Sequence, residues 1–160
     1  MNSRDHIIVA LDSQEPQALK DLSSSLSGKA RWVKVGMELF YSMGETVIHD
    51  LKAKNFFIFL DLKVHDIPNT AFGAAKAISK LGVDIINAHA TGGVEMLKAF
   101  KRGAEEGARE AGFKTPLLIA VTQLTSSDQE MINKDLGIQE SLEDSVLRLA
   151  ANAKNAGLDG

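Results

Sequence analysis

Short apolar runs alternate with longer helical patterns five times along this chain of 160 residues. Each run has the length of a buried strand, and the segments between runs repeat their apolar residues at helical spacing. The predicted strands are residues 6–11, 31–35, 56–62, 83–89 and 116–121. The predicted helices are residues 15–26, 38–54, 69–81, 94–111, 127–133 and 142–156. Because parallel strands need a crossover between them, this order predicts an α/β fold with a parallel sheet.

Residue types at the ends of the predicted helices support these boundaries. Ser13 is a candidate N-cap of the first helix, and Pro16 lies in its first turn. Three glycines stand where helices commonly end: Gly82, Gly112 and Gly157. Residues 81–84 (Leu-Gly-Val-Asp) and 156–159 (Ala-Gly-Leu-Asp) form a weak internal repeat at two helix-to-strand junctions.

Residues 1–160 are predicted to form a single domain, because no linker, low-complexity stretch or charge block divides them. A (β/α)8 TIM barrel usually takes about 250 residues, so five βα units do not close one. A flavodoxin-like five-stranded sheet would fit the length, but no phosphate-binding loop is evident after the first strand. We therefore predict the first five units of a TIM barrel, with a sixth strand expected to begin at Gly160.

Composition excludes several classes of partner. The net charge is −3 and no basic cluster occurs, so we expect no nucleic-acid partner. The apolar runs fall far short of the roughly 20 residues of a membrane span, and no signal peptide is recognisable, so we expect no membrane partner. The chain has no cysteine, which excludes disulfides and thiolate chemistry. These features predict a cytoplasmic protein.

Three charges of alternating sign follow the most apolar predicted strand. Asp61, Lys63 and Asp66 come directly after residues 56–60, Phe-Phe-Ile-Phe-Leu. Charges are costly to desolvate unless they are paired, and they cluster where chemistry uses them. Residues two apart on a strand face the same way, so Asp61 and Lys63 are expected to share one space. Asp66 is expected just beyond them, on the following loop.

Polar side chains also follow the other predicted strands. In chain order these residues are Asp12, Lys34, Asp61, Lys63, Asp66, His89, Thr122, Gln123 and Thr125. All lie at or near the carboxyl ends of parallel strands, where (β/α)8 enzymes place their active sites.

Structural roles remain open for several of these residues. Asp12 could cap the first helix, Asp61 and Lys63 could be a purely structural ion pair, and Thr125 could cap its loop. His65 is interpreted as holding its loop, and His89 as a structural hydrogen-bonding residue.

The ten residues 61–70 resemble the signature of a known family. Asp61-x-Lys63-x-x-Asp66-Ile67-x-x-Thr70 is similar to the signature of the orotidine 5′-monophosphate decarboxylases, in their bacterial branch. Supporting stretches occur in the expected order at residues 9–12, 33–40, 81–84, 87–90 and 120–126. The resemblance implies a decarboxylation of orotidine 5′-monophosphate to UMP, the last step of pyrimidine synthesis. It implies no cofactor and no metal ion.

The resemblance also implies roles for individual residues. Four residues would form an alternating charge network: Lys34, Asp61, Lys63 and Asp66. The protein would be a homodimer with shared active sites, in which the partner subunit supplies Asp66, Ile67 and Thr70. Asp12 and Lys34 would bind the ribose hydroxyls, and Thr125 would hydrogen-bond the pyrimidine.

The chemistry implied by this resemblance needs fixed charges. Loss of CO₂ from C6 leaves an anion in the plane of the ring, with no π system to spread it. An ammonium group at Lys63 can stabilise this anion and then protonate C6 as a general acid. Flanking carboxylates at Asp61 and Asp66 favour the charged ammonium. Asp61 can also crowd the carboxylate of the substrate.

Two alternatives compete with this interpretation. Mg²⁺-dependent sugar-phosphate decarboxylases and synthases of the same suprafamily share the Asp-x-Lys-x-x-Asp element, but they carry a glutamate metal ligand where Lys34 stands. The other alternative is a catalytically inactive fragment that only dimerises or binds. In the family, the phosphate is gripped by late barrel segments, which would lie beyond Gly160. A protein of these 160 residues alone is therefore expected to be nearly inactive and prone to associate.

Overall fold

The five predicted strands form one parallel sheet. The computed structural model describes residues 6–12 and 15–160. The strands are β1 (Ile8–Ala10), β2 (Trp32–Gly36), β3 (Phe57–Val64), β4 (Ile85–His89) and β5 (Leu117–Val121). They lie side by side in the order β1-β2-β3-β4-β5. This sequential order excludes the flavodoxin-like alternative, in which the order would be 2-1-3-4-5.

One or two helices follow each strand in the chain. They are α1 (Pro16–Leu26), α2 (Met37–Met43), α3 (Thr46–Ala53), α4 (Pro68–Ser79), α5 (Gly93–Ala111), α6 (Gln129–Lys134) and α7 (Leu142–Ala156). A single 3-10 turn, Ala90–Gly92, precedes α5. In the part of the chain that the structure describes, no helix is long and apolar enough to cross a membrane.

The helices cover one face of the sheet. Parallel strands in sequential order with right-handed crossovers place every connecting helix on the same side. On β2, Val33 and Val35 are fully buried, whereas Trp32 and Lys34, which alternate with them, are half-buried. Trp32 and Lys34 therefore belong to the less covered face of the sheet.

The prediction of one helix over residues 38–54 is wrong. Two helices, α2 and α3, occupy this stretch and are separated at Gly44. Gly44 has φ 63°, and its N–H donates to the carbonyl oxygen of Phe40. This left-handed conformation is available to glycine at little cost and ends a helix. Apolar residues recur at helical spacing from Leu39 to Leu51, on both sides of Gly44. Periodicity alone therefore did not reveal the break.

Other boundaries differ by a few residues. β3 runs two residues further than predicted and includes Val64. α4 begins at Pro68 rather than residue 69 and ends at Ser79. The short helix predicted at residues 127–133 is α6, which Asp128 caps by accepting from the backbone N–H of Met131 at 2.8 Å. The proposed N-cap Ser13 lies outside the described residues.

The internal repeat corresponds to one structural device used twice. Asp84 precedes β4, and its carboxylate accepts a hydrogen bond from the backbone N–H of Ile58 at 2.8 Å. Asp159 does the same for the backbone N–H of Leu118, also at 2.8 Å. In both cases the backbone N–H of the aspartate donates in return to the carbonyl oxygen of that strand residue, at 2.9 Å for Ile58 and 2.8 Å for Leu118. Each aspartate therefore fixes its backbone against the start of a preceding strand.

Helices α4 and α5 pack at the closest approach that their backbones allow. Gly103 and Gly107 of α5 face α4, and a Cβ added at either position would overlap a carbonyl oxygen of that helix, at Phe72 or Lys76. Lys76 also forms ion pairs with Glu106 and Glu110 across the same contact. This contact fixes α4, whose first turn follows the charged loop after β3.

Gly103→Ala should lower the free energy of unfolding by about 1–3 kcal/mol, because the added methyl group forces the two helix backbones apart. Gly73→Ala in α4 is the matched control. Gly73 is exposed and an added Cβ meets no atom within 4 Å, so this change should stabilise the helix by about 0.5–1 kcal/mol. Urea unfolding of both variants measures the difference. Equal effects from the two substitutions would contradict the packing described here.

Candidate functional site

A chain of alternating charges runs across the carboxyl ends of β1, β2 and β3. Lys34 Nζ lies 3.7 Å from Asp12 Oδ1 and 3.7 Å from Asp61 Oδ2. Lys63 Nζ lies 2.6 Å from Asp61 Oδ1. Asp61 is the most enclosed member, since its side chain is 13% exposed, against 73% for Asp12. The structure thus brings together four of the residues predicted from sequence.

The approach of Lys63 to Asp61 depends on an irregular backbone. Leu60 pairs with Ile86 and Val64 pairs with Ala88, so β3 has two more residues than β4 over this interval. Lys63 has φ 50° within this bulge. The sequence analysis attributed the contact between Asp61 and Lys63 to regular alternation along a strand. The bulge and the positive φ of Lys63 also contribute to it. A left-handed conformation of a non-glycine residue costs about 1–3 kcal/mol and persists only where the surroundings enforce it.

Asn87 is a site residue that sequence reasoning missed. This β4 side chain is 2% exposed. Its Nδ2 donates to Asp61 Oδ1 at 2.6 Å, and its Oδ1 accepts from the backbone N–H of Lys63 at 2.8 Å. A polar residue inside an apolar predicted strand was the available signal. In the sequence analysis, Asn87 entered only as a member of residues 87–90, one of the stretches that support the family resemblance.

The surroundings of Asp61 favour its ionised form. Burial alone would raise the pKa of Asp61. Hydrogen bonds from Lys63 and Asn87, with the positive charges of Lys63 and Lys34, outweigh burial and hold the pKa below its ordinary value of 3.8. The carboxylate is therefore charged at neutral pH.

This shift predicts a pH dependence of stability. Because the pKa of Asp61 is lower in the folded state, its ionised form contributes stability in full above the ordinary value of 3.8. That contribution is lost as the pH falls through the lower folded-state pKa. The difference in unfolding free energy between the wild type and Asp61→Asn should therefore change below about pH 4 and be constant above about pH 5. Urea unfolding at several pH values tests this, and a difference that does not vary with pH would contradict it.

Asp66, Ile67 and Thr70 lie apart from the charge chain. All three are exposed, and 67% of Ile67 is accessible. Asp66 Oδ1 accepts from the backbone N–H of Ile67 at 2.7 Å. Among residues 6–12 and 15–160, no ion pair within 4.0 Å involves Asp66. The structure therefore does not bring the predicted fourth member of the network next to Lys63 within one chain.

Two histidines lie beside the site. The rings of His65 and His89 are 5.4 Å apart, and His65 also lies against Gly92. Burial lowers the pKa of His89, and the nearby His65 and Lys63 lower it further, against an opposing effect of Asp61. His89 is therefore neutral at pH 7. His65 lies in the loop after β3 and contacts the end of β4, and its role in holding that loop stays a prediction.

An open cavity of about 570 Å³ adjoins these histidines and extends towards α6 and α7. Thr122 and Gln123 line it from the end of β5. Gln123 Nε2 donates to Ser145 Oγ of α7 at 3.0 Å and so ties the end of β5 to that helix. Thr125 lies exposed in the turn that follows. Within the described segments, no group of three or more histidine, aspartate or glutamate residues is arranged to hold a metal ion.

Comparisons with known proteins agree with these observations. The model of a family described as orotidine 5′-phosphate decarboxylase / HUMPS matches residues 5–160. Orotidine 5′-phosphate decarboxylase of Bacillus cereus (strain G9842) is 47% identical over 154 residues, and the protein of the same name from Bacillus mycoides (strain KBAB4) is equally similar. Each match covers 96% of this chain and 64% of the relative. The chain therefore spans just under two thirds of the length of these curated relatives.

Solved structures confirm the predicted fold class. An uncharacterized conserved protein of Geobacillus kaustophilus superposes with a TM-score of 0.91 at 43% identity, covering 96% of this chain and 71% of that one. Orotidine 5′-phosphate decarboxylase of Lactobacillus acidophilus gives 0.89 at 43% identity, covering 96% and 69%. The Methanocaldococcus jannaschii enzyme, complexed with the inhibitor BMP, gives 0.73 at 25% identity, covering 96% and 64%. These barrels contain the five βα units seen here.

Proposed function

Because the chain belongs to the orotidine 5′-phosphate decarboxylase / HUMPS family, we propose that the protein carrying it converts orotidine 5′-monophosphate to UMP and CO₂ in pyrimidine biosynthesis. We also propose that residues 1–160 form one domain, made of the first five units of its barrel. The reaction requires no cofactor in this proposal.

The continuous charge chain Asp12–Lys34–Asp61–Lys63 is the observation that carries the proposal. It lies at the carboxyl ends of three adjacent strands, which is where barrels of this kind hold substrates. Each lysine lies next to a carboxylate, so the positive charges are fixed in place before any substrate binds. Such preorganised charge stabilises an anion without the cost of reorienting solvent during the reaction.

The proposed chemical step breaks the bond between C6 and the carboxylate carbon. The bonding pair stays on C6 and CO₂ departs, so C6 develops negative charge in the ring plane. The ammonium group of Lys63 stabilises this charge and then transfers a proton to C6, which leaves UMP and a neutral amine. Asp61, ionised and hydrogen-bonded to Lys63, orients that ammonium group. Its charge beside the substrate carboxylate also disfavours the bound reactant.

The remaining residues are assigned to binding. Asp12 and Lys34 hold the ribose hydroxyls, and Thr125 hydrogen-bonds the pyrimidine. The partner subunit of a homodimer contributes Asp66, Ile67 and Thr70 to each site. Their exposure and their separation from the charge chain within one subunit support this assignment.

Mg²⁺-dependent sugar-phosphate enzymes of the same suprafamily are the second candidate. A Mg²⁺-dependent member would need acidic ligands where Lys34 stands, and an ammonium group at that position repels a divalent cation. Lys34 lies between Asp12 and Asp61 and is paired with both. This position favours binding of hydroxyl groups and makes the Mg²⁺-dependent reaction the weaker candidate.

The loss of orotidine 5′-monophosphate absorbance, measured with EDTA present, tests the proposed function. Conversion that is insensitive to EDTA is the expected result. The intact mass of the same sample identifies which polypeptide is assayed. No conversion by a full-length protein would refute the proposal. Conversion of a sugar phosphate that EDTA abolishes would favour the Mg²⁺-dependent alternative.

A further inference from the structure

We propose that Asn87 is the positioning residue of this site, holding the carboxylate of Asp61 and the irregular backbone of Lys63 in their working arrangement. This inference rests on the proposed function for its catalytic consequence. Neither its geometry nor two of its tests depend on that function.

Asn87 is placed to act on both residues at once. Its side chain comes from β4, where it is paired with Ile119 of β5, and it is 2% exposed. Its Nδ2 donates a hydrogen bond to Asp61 Oδ1 at 2.6 Å, and its Oδ1 accepts one from the backbone N–H of Lys63 at 2.8 Å. A buried amide with both ends used fixes its two partners relative to each other.

The orientation of the amide follows from its partners. The backbone nitrogen of Lys63 carries a proton and requires an acceptor, which the Oδ1 atom of Asn87 provides. The NH₂ group of Asn87 therefore faces Asp61, whose ionised carboxylate can only accept. If the amide were reversed, its NH₂ group would face the N–H of Lys63 and its oxygen would face the carboxylate of Asp61, and neither pair could form a hydrogen bond. Asn87 thus recognises the charged form of Asp61.

The left-handed backbone of Lys63 explains why its N–H needs the hydrogen bond to Asn87. With φ 50° in a bulge of β3, Lys63 turns its side chain back so that Nζ lies 2.6 Å from Asp61 Oδ1. A backbone held in a sparsely populated conformation needs an interaction that enforces it. The hydrogen bond from the Lys63 N–H to Asn87 is that interaction, because the bulge interrupts regular pairing with β4 at this point.

Two substitutions separate the two bonds. Asn87→Ala removes both and leaves the Lys63 N–H without its acceptor. Asn87→Asp keeps a side chain of the same shape and an acceptor for that N–H, but it places a second carboxylate beside Asp61. The aspartate variant fills the same volume, so it tests the proposal even where the alanine variant does not fold. Asp84→Ala is the matched control, because it removes a side-chain hydrogen bond between β3 and β4 at the opposite end of the sheet.

The kinetic test is the pH profile of decarboxylation. Asn87→Ala should lower kcat about 100-fold with little change in KM, as expected when a reacting group is misplaced by about 1 Å. Asn87→Asp should also shift the acid limb of the profile to higher pH, because two adjacent carboxylates do not ionise together. The other titratable groups facing Asp61 are Lys34 from β2, Lys63 from β3 and His89 from β4. Asp84→Ala should keep the wild-type profile. A folded Asn87→Ala variant with wild-type kcat and profile would overturn the proposal.

Two structural tests do not require activity. Carbon-13 NMR titration of the Asp61 carboxyl, assigned with Asp61→Asn, should give a higher midpoint in both Asn87 variants than in the wild type. A crystal structure of Asn87→Ala should show Lys63 relaxed to negative φ, with its Nζ displaced from Asp61. An unchanged midpoint together with an unchanged Lys63 backbone would overturn the proposal. If the full-length wild type proves inactive, the proposed function fails, and these two measurements still decide the role of Asn87.

Discussion

Lys63→Ala should lower kcat for orotidine 5′-monophosphate by about 10⁴-fold or more, because in the proposed mechanism it removes both the charge that stabilises the C6 anion and the proton that C6 receives. Truncation also removes the hydrogen bond from Lys63 to Asp61 at 2.6 Å. The Asp61 carboxylate then keeps Asn87 and Lys34 as its partners among residues 6–12 and 15–160. Steady-state kinetics following the loss of substrate absorbance measures the change. Substrate binding should weaken far less than turnover.

Lys52→Ala is the matched control for this substitution. Lys52 also pairs with an aspartate, Asp84, at 3.2 Å, and both pairs are partly buried. The Lys52 pair lies at the amino ends of the strands, away from the proposed site. This variant should keep the wild-type kcat and lose only a little stability, since such ion pairs contribute about 1 kcal/mol or less. A Lys63→Ala enzyme within tenfold of the wild type would remove Lys63 from its assigned role.

Mixing two inactive variants should restore activity if the active site is shared between subunits. In the proposed homodimer, Asp66→Ala and Lys63→Ala should each inactivate both sites of their own dimers. In a hybrid dimer, one site receives an intact Lys63 from one subunit and an intact Asp66 from the other. Random exchange in an equal mixture makes half of the dimers hybrids, so about a quarter of the wild-type activity should return. The separation of Asp66 from the charge chain within one subunit motivates this prediction.

The complementation experiment carries its own control. A mixture of Lys63→Ala with Asp61→Ala should remain inactive, because Asp61 and Lys63 belong to the same subunit and no exchange restores both to one site. Subunit exchange is verified by mass spectrometry with one isotopically labelled variant. Confirmed exchange without recovery in the Asp66→Ala mixture would rule out a shared site.

Most of the fold followed from hydrophobic periodicity. Five strands, their parallel direction and the exact ends of α7 were predictable, because apolar spacing and the C-terminal glycine at residue 157 agreed. The break at Gly44 was not. Apolar residues on both sides of it share one stripe, and a single glycine inside a helical pattern is compatible with continuation. Whether such a glycine ends a helix depends on how the chain packs after it.

The site was less predictable than the fold. Asp61 and Lys63 were identified because charges after an apolar strand have no packing explanation. Their contact was attributed to regular alternation, whereas a bulge and a positive φ at Lys63 are involved. Bulges arise from pairing between strands and leave no periodic trace in one sequence. Asn87 was missed for a related reason, since its two partners lie 24 and 26 residues away.

The residues that align the strands and the residues of the charge chain lie at opposite ends of the sheet. Asp84 and Asp159 set the alignment of neighbouring strands through local bonds to Ile58 and Leu118. The charge chain occupies the opposite ends of the strands. Substitutions that alter one end therefore leave the alignment device at the other end intact. A scaffold divided in this way can change its reactive residues at one end while it keeps the bonds that align its strands at the other.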